Sequence, residues 1–153
     1  MLAYTILLVS CHKQLKKTMN ITYKRDLLDV DWEEMKATLI KDNFHNGRTT
    51  EQLKISFTTS YSTCIAYADK QIVGTARVLS DGVCNAYIVD VWTYSEYRHQ
   101  GIARKMMEII TEELPGQHVY LFTDDSVDFY KKLGFQEQPT GLSKVMGKWL
   151  VKD

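Results

Sequence analysis

The stretch YRHQGIARKMM, residues 97–107, carries the first chemistry this chain offers. It joins an apolar run at 87–93 to a long helical pattern, and such a junction leaves the first amides of the helix without an intrahelical acceptor. Gly101 lets the backbone turn tightly and approach a ligand with no Cβ in the way. Ala103 keeps the helix start close to the preceding strand. The freed N–H groups of residues 99–103 then converge where the helix dipole favours negative charge, which suits a phosphate or pyrophosphate. Arg98 and His99 add donors, Arg98 as a permanent cation. The segment has neither the Gly-Lys-Ser/Thr ending of a P-loop nor the three-glycine spacing of a dinucleotide fingerprint. A single glycine here is equally consistent with an ordinary tight connection.

The elements that must position this turn follow from periodicity. Residues 21–24 alternate weakly as a first or edge strand. Trp32, Met35 and Leu39 recur at helical spacing over 31–41, with Asp31 as N-cap and acids in the first turn. Asn46-Gly47 breaks the pattern. Thr49 or Thr50, followed by Glu51-Gln52, caps a second helix carrying Leu53 and Phe57. Strands over 63–68, 72–79 and 86–93, joined by turns at 69–71 and 80–82, make an antiparallel meander. The helix over 101–114 sets Ala103, Met106, Met107, Ile110 and Leu114 on one face, and Pro115-Gly116 ends it. Residues 118–122 form a strand reached through that helix, so it pairs parallel to its predecessor by a right-handed crossover. A short helix over 126–133, capped by Thr123 or Asp124, stops at Gly134. Strands over 135–138 and 144–151 close the chain. The expected fold is one α+β domain with a mixed, largely antiparallel sheet of six to seven strands and helices on both faces.

The totals agree with one domain. The chain has 153 residues, 44% of them apolar, enough for one substantial core and not for two. Nineteen basic residues balance nineteen acidic ones, so no overall field draws nucleic acid or an anionic membrane, and any anion site must be local. Cys11, Cys64 and Cys84 show no CxxC spacing, and two of them sit in apolar segments, which points to reduced, packed thiols in a cytoplasmic protein. Residues 1–18 read as a disordered or non-native extension, leaving a domain at 19–153. Their apolar run ends in Leu-Val-Ser-Cys11 but lacks the basic start of a secretory signal, and it is too short to span a bilayer. An export signal is the competing reading.

Arg98-x-x-Gly101-x-Ala103 after residues 89–97, together with Phe129-Tyr-Lys-Lys-Leu-Gly-Phe135, resembles the GNAT superfamily of N-acetyltransferases. The first motif is similar to that family's acetyl-CoA pyrophosphate motif and the second to its FYxKLGF motif. With the order of elements, the resemblance covers nearly all of the chain beyond residue 18. It implies a GNAT-like fold, acetyl-CoA as the donor, and direct transfer of the acetyl group to an amine. Val91, Trp92 and Thr93 would pair through their backbone with the pantetheine arm. The amides of His99, Gln100, Gly101, Ile102, Ala103 and Arg104 would hold the pyrophosphate, and Tyr130 would sit near the thioester sulfur. Many members carry, seven residues before that tyrosine, an Asn that touches the cofactor; the corresponding cofactor-binding position in this chain is Thr123.

Direct transfer requires a neutral amine, a stabilised oxyanion and a protonated leaving thiolate. An alkyl ammonium, with a pKa near about 10.4, is mostly protonated at neutral pH, so a base or a water chain is needed. Asp90 is the first candidate because it interrupts an apolar strand face, where burial would raise its pKa. A structural ion pair with a neighbour such as Arg77 is the alternative. Glu96 is the second candidate, set against an ordinary surface acid near a helix start. A bulge leaving the amide of Val91 or Trp92 unpaired would stabilise the oxyanion. Tyr130 is the candidate acid, although Val127, Tyr130 and Leu133 also fit a packed stripe. No metal-ligand cluster and no partnered nucleophile is apparent, so neither a metal nor a covalent acetyl-enzyme is expected.

The sequence therefore supports an acetyl-CoA-dependent N-acetyltransferase acting on a primary amine of a small molecule or peptide through a ternary complex. Competing readings are a non-catalytic acyl-CoA-binding sensor or interaction module, and a small α/β domain holding another phosphate ligand. Trp32, Phe44, His45 and Asn46 sit where the family builds its acceptor wall, and a homodimer is compatible with the resemblance.

Overall fold

The computed structural model describes residues 20–146. Five strands form one sheet in sequential order: β1 (Ile21–Lys24), β2 (Ser62–Ala68), β3 (Gln71–Ser80), β4 (Asn85–Thr93) and β5 (His118–Tyr120). The first four pair antiparallel and β5 runs parallel to β4, as a helical crossover requires. The helices are α1 (Trp32–Lys41), α2 (Thr50–Thr58), α3 (Ile102–Thr111) and α4 (Val127–Lys131). This is the mixed α+β architecture expected from the sequence.

The caps explain why the first helices start where they do. The Asp31 side chain accepts from the Glu34 amide at 2.9 Å, and Thr49 with Gln52 closes a capping box at α2. α3 lies on the sheet face that carries Gly74 and seals it with Ile102, Met106, Met107 and Ile110, all buried. Each such side chain contributes about 1.5–3 kcal/mol of burial. Ile102 takes the place expected of Ala103, which is only half-buried. α1, α2 and their connection meet the opposite face, where Phe44 stacks on Trp92 and Trp32 packs edge-on against Phe57.

Three expectations are corrected. The sheet has five strands among the described residues, not six to seven: 135–138 runs without strand pairing, and 144–146 has no regular structure. Glu, Gln and Pro139 suit a strand poorly, and Pro139 has no N–H to donate. The rest of the 144–151 segment, like the extension at 1–18 and Cys11, lies outside the described residues. Second, α4 begins after Ser126 rather than at a Thr123 or Asp124 cap. Third, Cys84 is exposed in the β3–β4 turn, while Cys64 is buried. No helix among the described residues is long and apolar enough to cross a membrane.

Candidate functional site

The β4–β5 pair is short, and that shortness creates the site. Only 85–87 of β4 pair with β5, so beyond Tyr87 the second edge of β4 has no strand neighbour. Val91, Trp92 and Thr93 lie on this open stretch. The Thr93 hydroxyl is buried without a hydrogen-bond partner among the described residues. Such an orphan is costly unless something supplies a partner.

β4 leads directly into the turn. After a 3-10 turn at Ser95–Tyr97, His99 adopts φ 62° and Gly101 φ 80°, and α3 starts with Gly101 as its N-cap. Histidine tolerates the left-handed region better than most residues, and glycine adopts it freely. Among the described residues, none of the amides of His99, Gln100, Gly101, Ile102, Ala103 or Arg104 finds an acceptor. An ideal Cβ on Gly101 would meet no atom within 4 Å, so the space in front of this turn is open. Six unpaired donors at a helix N-terminus fit a pyrophosphate. Arg98 points its Nε at the Thr93 carbonyl, 3.0 Å away, and its terminal nitrogen at Asp42, 3.2 Å away. Its charge thus stands beside the cradle, partly satisfied.

A bulge interrupts β4. Thr75 pairs with Trp92 and Arg77 with Val89, so Asp90 and Val91 together oppose Ala76. Asp90 has φ 51°, and its carbonyl accepts from Thr75 Oγ1 at 2.9 Å. A bulge leaves its extra residue out of the ladder, the condition set above for a free amide at Val91 or Trp92. The Asp90 carboxylate does not stand free. Its Oδ2 accepts from Arg77 Nε at 2.7 Å and from a terminal nitrogen of Arg48 at 2.8 Å, while Asn46 approaches Oδ1 at 3.5 Å. The ion pair foreseen with Arg77 is therefore present, and Arg48 is a second partner that sequence reasoning missed. Glu96 is exposed and turned elsewhere, toward the Tyr94 hydroxyl and Lys41.

Tyr130 lies in α4. It packs edge-on against Phe129 and Phe135 and lines a cleft of about 930 Å³ that runs along β5 and also reaches Thr123. Burial first, and then the charge of Asp125, raise its pKa, so its proton is held through neutral pH. Its hydroxyl has no hydrogen-bond partner among the described residues. Thr123 accepts from the Ser126 amide at 3.1 Å through its hydroxyl. The candidate residues thus fall in three places: the cradle, the bulge and Tyr130, whose cleft is lined by neither of the others. The first two are joined by β4 itself. Asp42 was not foreseen either; it accepts from Trp92 and Ser95 and binds α1 to the cradle. The only sequence signal was an acid just past a helix end.

Comparison with known proteins follows the same outline. The family model "Acetyltransferase (GNAT) domain" matches residues 59–137. GCN5-related N-acetyltransferase 2, chloroplastic, of Arabidopsis thaliana is 37% identical over 78 residues, 48% of this chain and 30% of that protein. The uncharacterized N-acetyltransferase ycf52 of Gracilaria tenuistipitata var. liui is 32% identical over 103 residues, 62% of this chain and 57% of that protein. The chain thus spans from under a third to just over half of these relatives' lengths. Among solved structures, a probable acetyltransferase from Staphylococcus aureus superposes with a TM-score of 0.72 at 21% identity, covering 84% of this chain and all of that one. A predicted acetyltransferase with acetyl-CoA from Clostridium acetobutylicum gives 0.62 at 20% identity, covering 82% and 96%. At these identities the structural likeness shows the fold.

Proposed function

The chain belongs to the GNAT acetyltransferase family, and from that premise we propose that it moves an acetyl group from acetyl-CoA directly to a primary amine of a small molecule or peptide, in a ternary complex. The observation that carries this reading is the row of six amides at residues 99–104 with no acceptor of their own. In this reading acetyl-CoA supplies an activated thioester. The amides of residues 99–104 hold its pyrophosphate, with the Arg98 charge alongside. The open edge of β4 at Val91, Trp92 and Thr93 receives the amide arm, and the orphaned Thr93 hydroxyl gains a partner there. A β4 amide released by the bulge stabilises the oxyanion where it develops.

Tyr130, with its proton held by burial, donates to the leaving thiolate. Thr123 borders Tyr130 and limits the cleft from the β5 side. Asp90, bound by two guanidinium groups, is better suited to hold the bulge than to take a proton, and Glu96 is left as an acid reached through water. Among the described residues, Cys64 is sealed in the core and Cys84 sits exposed in the β3–β4 turn, which favours direct transfer over an acetylated cysteine. A buried reduced thiol also supports the cytoplasm as the compartment. The balanced charge argues for small partners over nucleic acid or membrane.

Release of free CoA thiol from acetyl-CoA tests the reading directly. Thiol should appear only when an amine acceptor is added, in proportion to acetylated product. Binding of acetyl-CoA with no amine-dependent release across a broad panel would favour a sensor.

A further inference from the structure

Two guanidinium groups share one carboxylate beside the β4 bulge, and the charges do not balance. Arg48 and Arg77 each make their salt bridge to Asp90 Oδ2, and neither has another acidic partner among the described residues. The side chains of Arg48, Asp90 and Arg77 are only 10%, 11% and 13% exposed. One positive charge is therefore largely removed from water without a counterion, an arrangement that is unfavourable until an anion arrives. Arg48 Nε is also buried with no acceptor among the described residues, so this guanidinium has an unused donor. Lys36 adds to the surplus: burial, and then the nearby Arg48 charge, disfavour its ammonium form. Asn46 contributes an amide, and Val91, the residue following Asp90, belongs to the stretch assigned to the donor's arm.

The cluster is on the α1–α2 side of the sheet, whereas the cradle's helix α3 covers the other side. It is thus offered to the acceptor rather than to the donor. We infer that the acceptor amine carries an oxyanion, a carboxylate or a phosphate, close to its amino group, and that Arg48 together with Arg77 binds that group. This rests on the acetyltransferase reading and narrows its substrate class. An oxyanion bound here would neutralise the surplus charge and leave the amino group beside the bulge. A purely cationic acceptor such as a polyamine would meet like charge.

Matched acceptors test this with the full-length protein. Glycine is compared with glycinamide, and phosphoethanolamine with ethanolamine, each at saturating acetyl-CoA. The anionic member of at least one pair should have kcat/KM higher by about tenfold or more, the scale of a charge-assisted bond, and whichever pair responds identifies carboxylate or phosphate. Arg48→Gln should bring the two members of the responding pair to about equal kcat/KM, chiefly by raising KM for the anionic one, and Arg48→Lys should restore part of the preference. Calorimetric titration of N-acetylglycine, N-acetylglycinamide and inorganic phosphate into the CoA complex gives a second readout free of turnover. Equal use of both members of each pair, or a preference for the neutral ones, overturns the inference. So does silence of all anions in the titration. Absence of acetyl-CoA binding would instead overturn the acetyltransferase reading itself.

Discussion

The indole N–H of Trp92 donates to Asp42 Oδ2 at 2.7 Å, and this bond fastens the end of α1 to the strand that feeds the cradle. The Ser95 amide, at 3.1 Å, and Arg98, at 3.2 Å, complete the shell of the same carboxylate. Burial opposes its charge, yet the hydrogen bonds from Ser95 and Trp92 and the charge of Arg98 outweigh it and hold Asp42 below the usual carboxylate range.

That sign fixes a pH dependence. A carboxyl whose pKa is lower in the folded state contributes stability above its unfolded value of about 3.9, and that contribution is lost as pH falls through the folded value. Thermal melts should show Asp42→Asn well below wild type at pH 6, with the gap closing below about pH 4. A gap that stays constant down to pH 3 would mean that Asp42 acts through packing alone.

Tyr130→Phe separates chemistry from binding. Loss of the phenol should lower kcat by about a hundredfold or more while acetyl-CoA affinity holds within about twofold. Since burial raises the tyrosine's pKa, the wild-type rate should show no alkaline decline from this group near neutral pH. Steady-state kinetics beside calorimetry on the variant check both points. An unchanged kcat would make Tyr130 a packing residue of the Phe129 and Phe135 cluster.

Gly74 allows α3 to approach the sheet. A Cβ there would lie 2.9 Å from Met106 Cε and 3.1 Å from the Trp92 carbonyl oxygen. The methionine tip can move, but the carbonyl belongs to β4. Gly74→Ala should cost about 1–3 kcal/mol, read as a fall in melting temperature of about 2–4 °C per kcal/mol. An unaltered melting temperature would refute the close approach.

The cysteines should differ in reactivity. Burial pushes the Cys64 thiol up to about 11, so little thiolate forms at neutral pH, while Cys84 is exposed. Brief maleimide treatment of the native protein, followed by peptide mapping, should find Cys84 labelled and Cys64 intact until denaturant is added. Labelling of Cys64 at a comparable rate would contradict its burial.

Much of the fold was legible because local signals and burial pointed the same way. Asp31 and Thr49 announced their helices through caps, and Met106, Met107 and Ile110 announced the face of α3 through spacing. The turn before α3 was legible for the same reason: Gly101 needs its positive φ locally. The bulge was not. Asp90 marks it with a left-handed backbone angle, but the extra residue exists only relative to Ala76 on the neighbouring strand. Arg48 was hidden for a related reason, since nothing near it in sequence shows that Asp90, far along the chain, will hold it. The closing strand at 135–138 failed in the opposite sense, where a Phe-led run resembled a strand but ended in residues that pair badly. Contacts between distant segments were the part that periodicity could not supply.

Calorimetry of the full-length protein with acetyl-CoA, CoA and dephospho-CoA, alongside Gly101→Glu, tests the central claim that residues 99–104 hold a pyrophosphate. The substitution places a carboxylate in the open space before six unpaired amides, and Gly101→Asn, which tolerates a positive φ, controls for backbone strain. The wild type should bind acetyl-CoA with micromolar affinity and dephospho-CoA about equally, Gly101→Asn should retain binding and Gly101→Glu should lose it. No binding by the wild type at millimolar ligand, or equal binding by a folded Gly101→Glu protein, would contradict the claim.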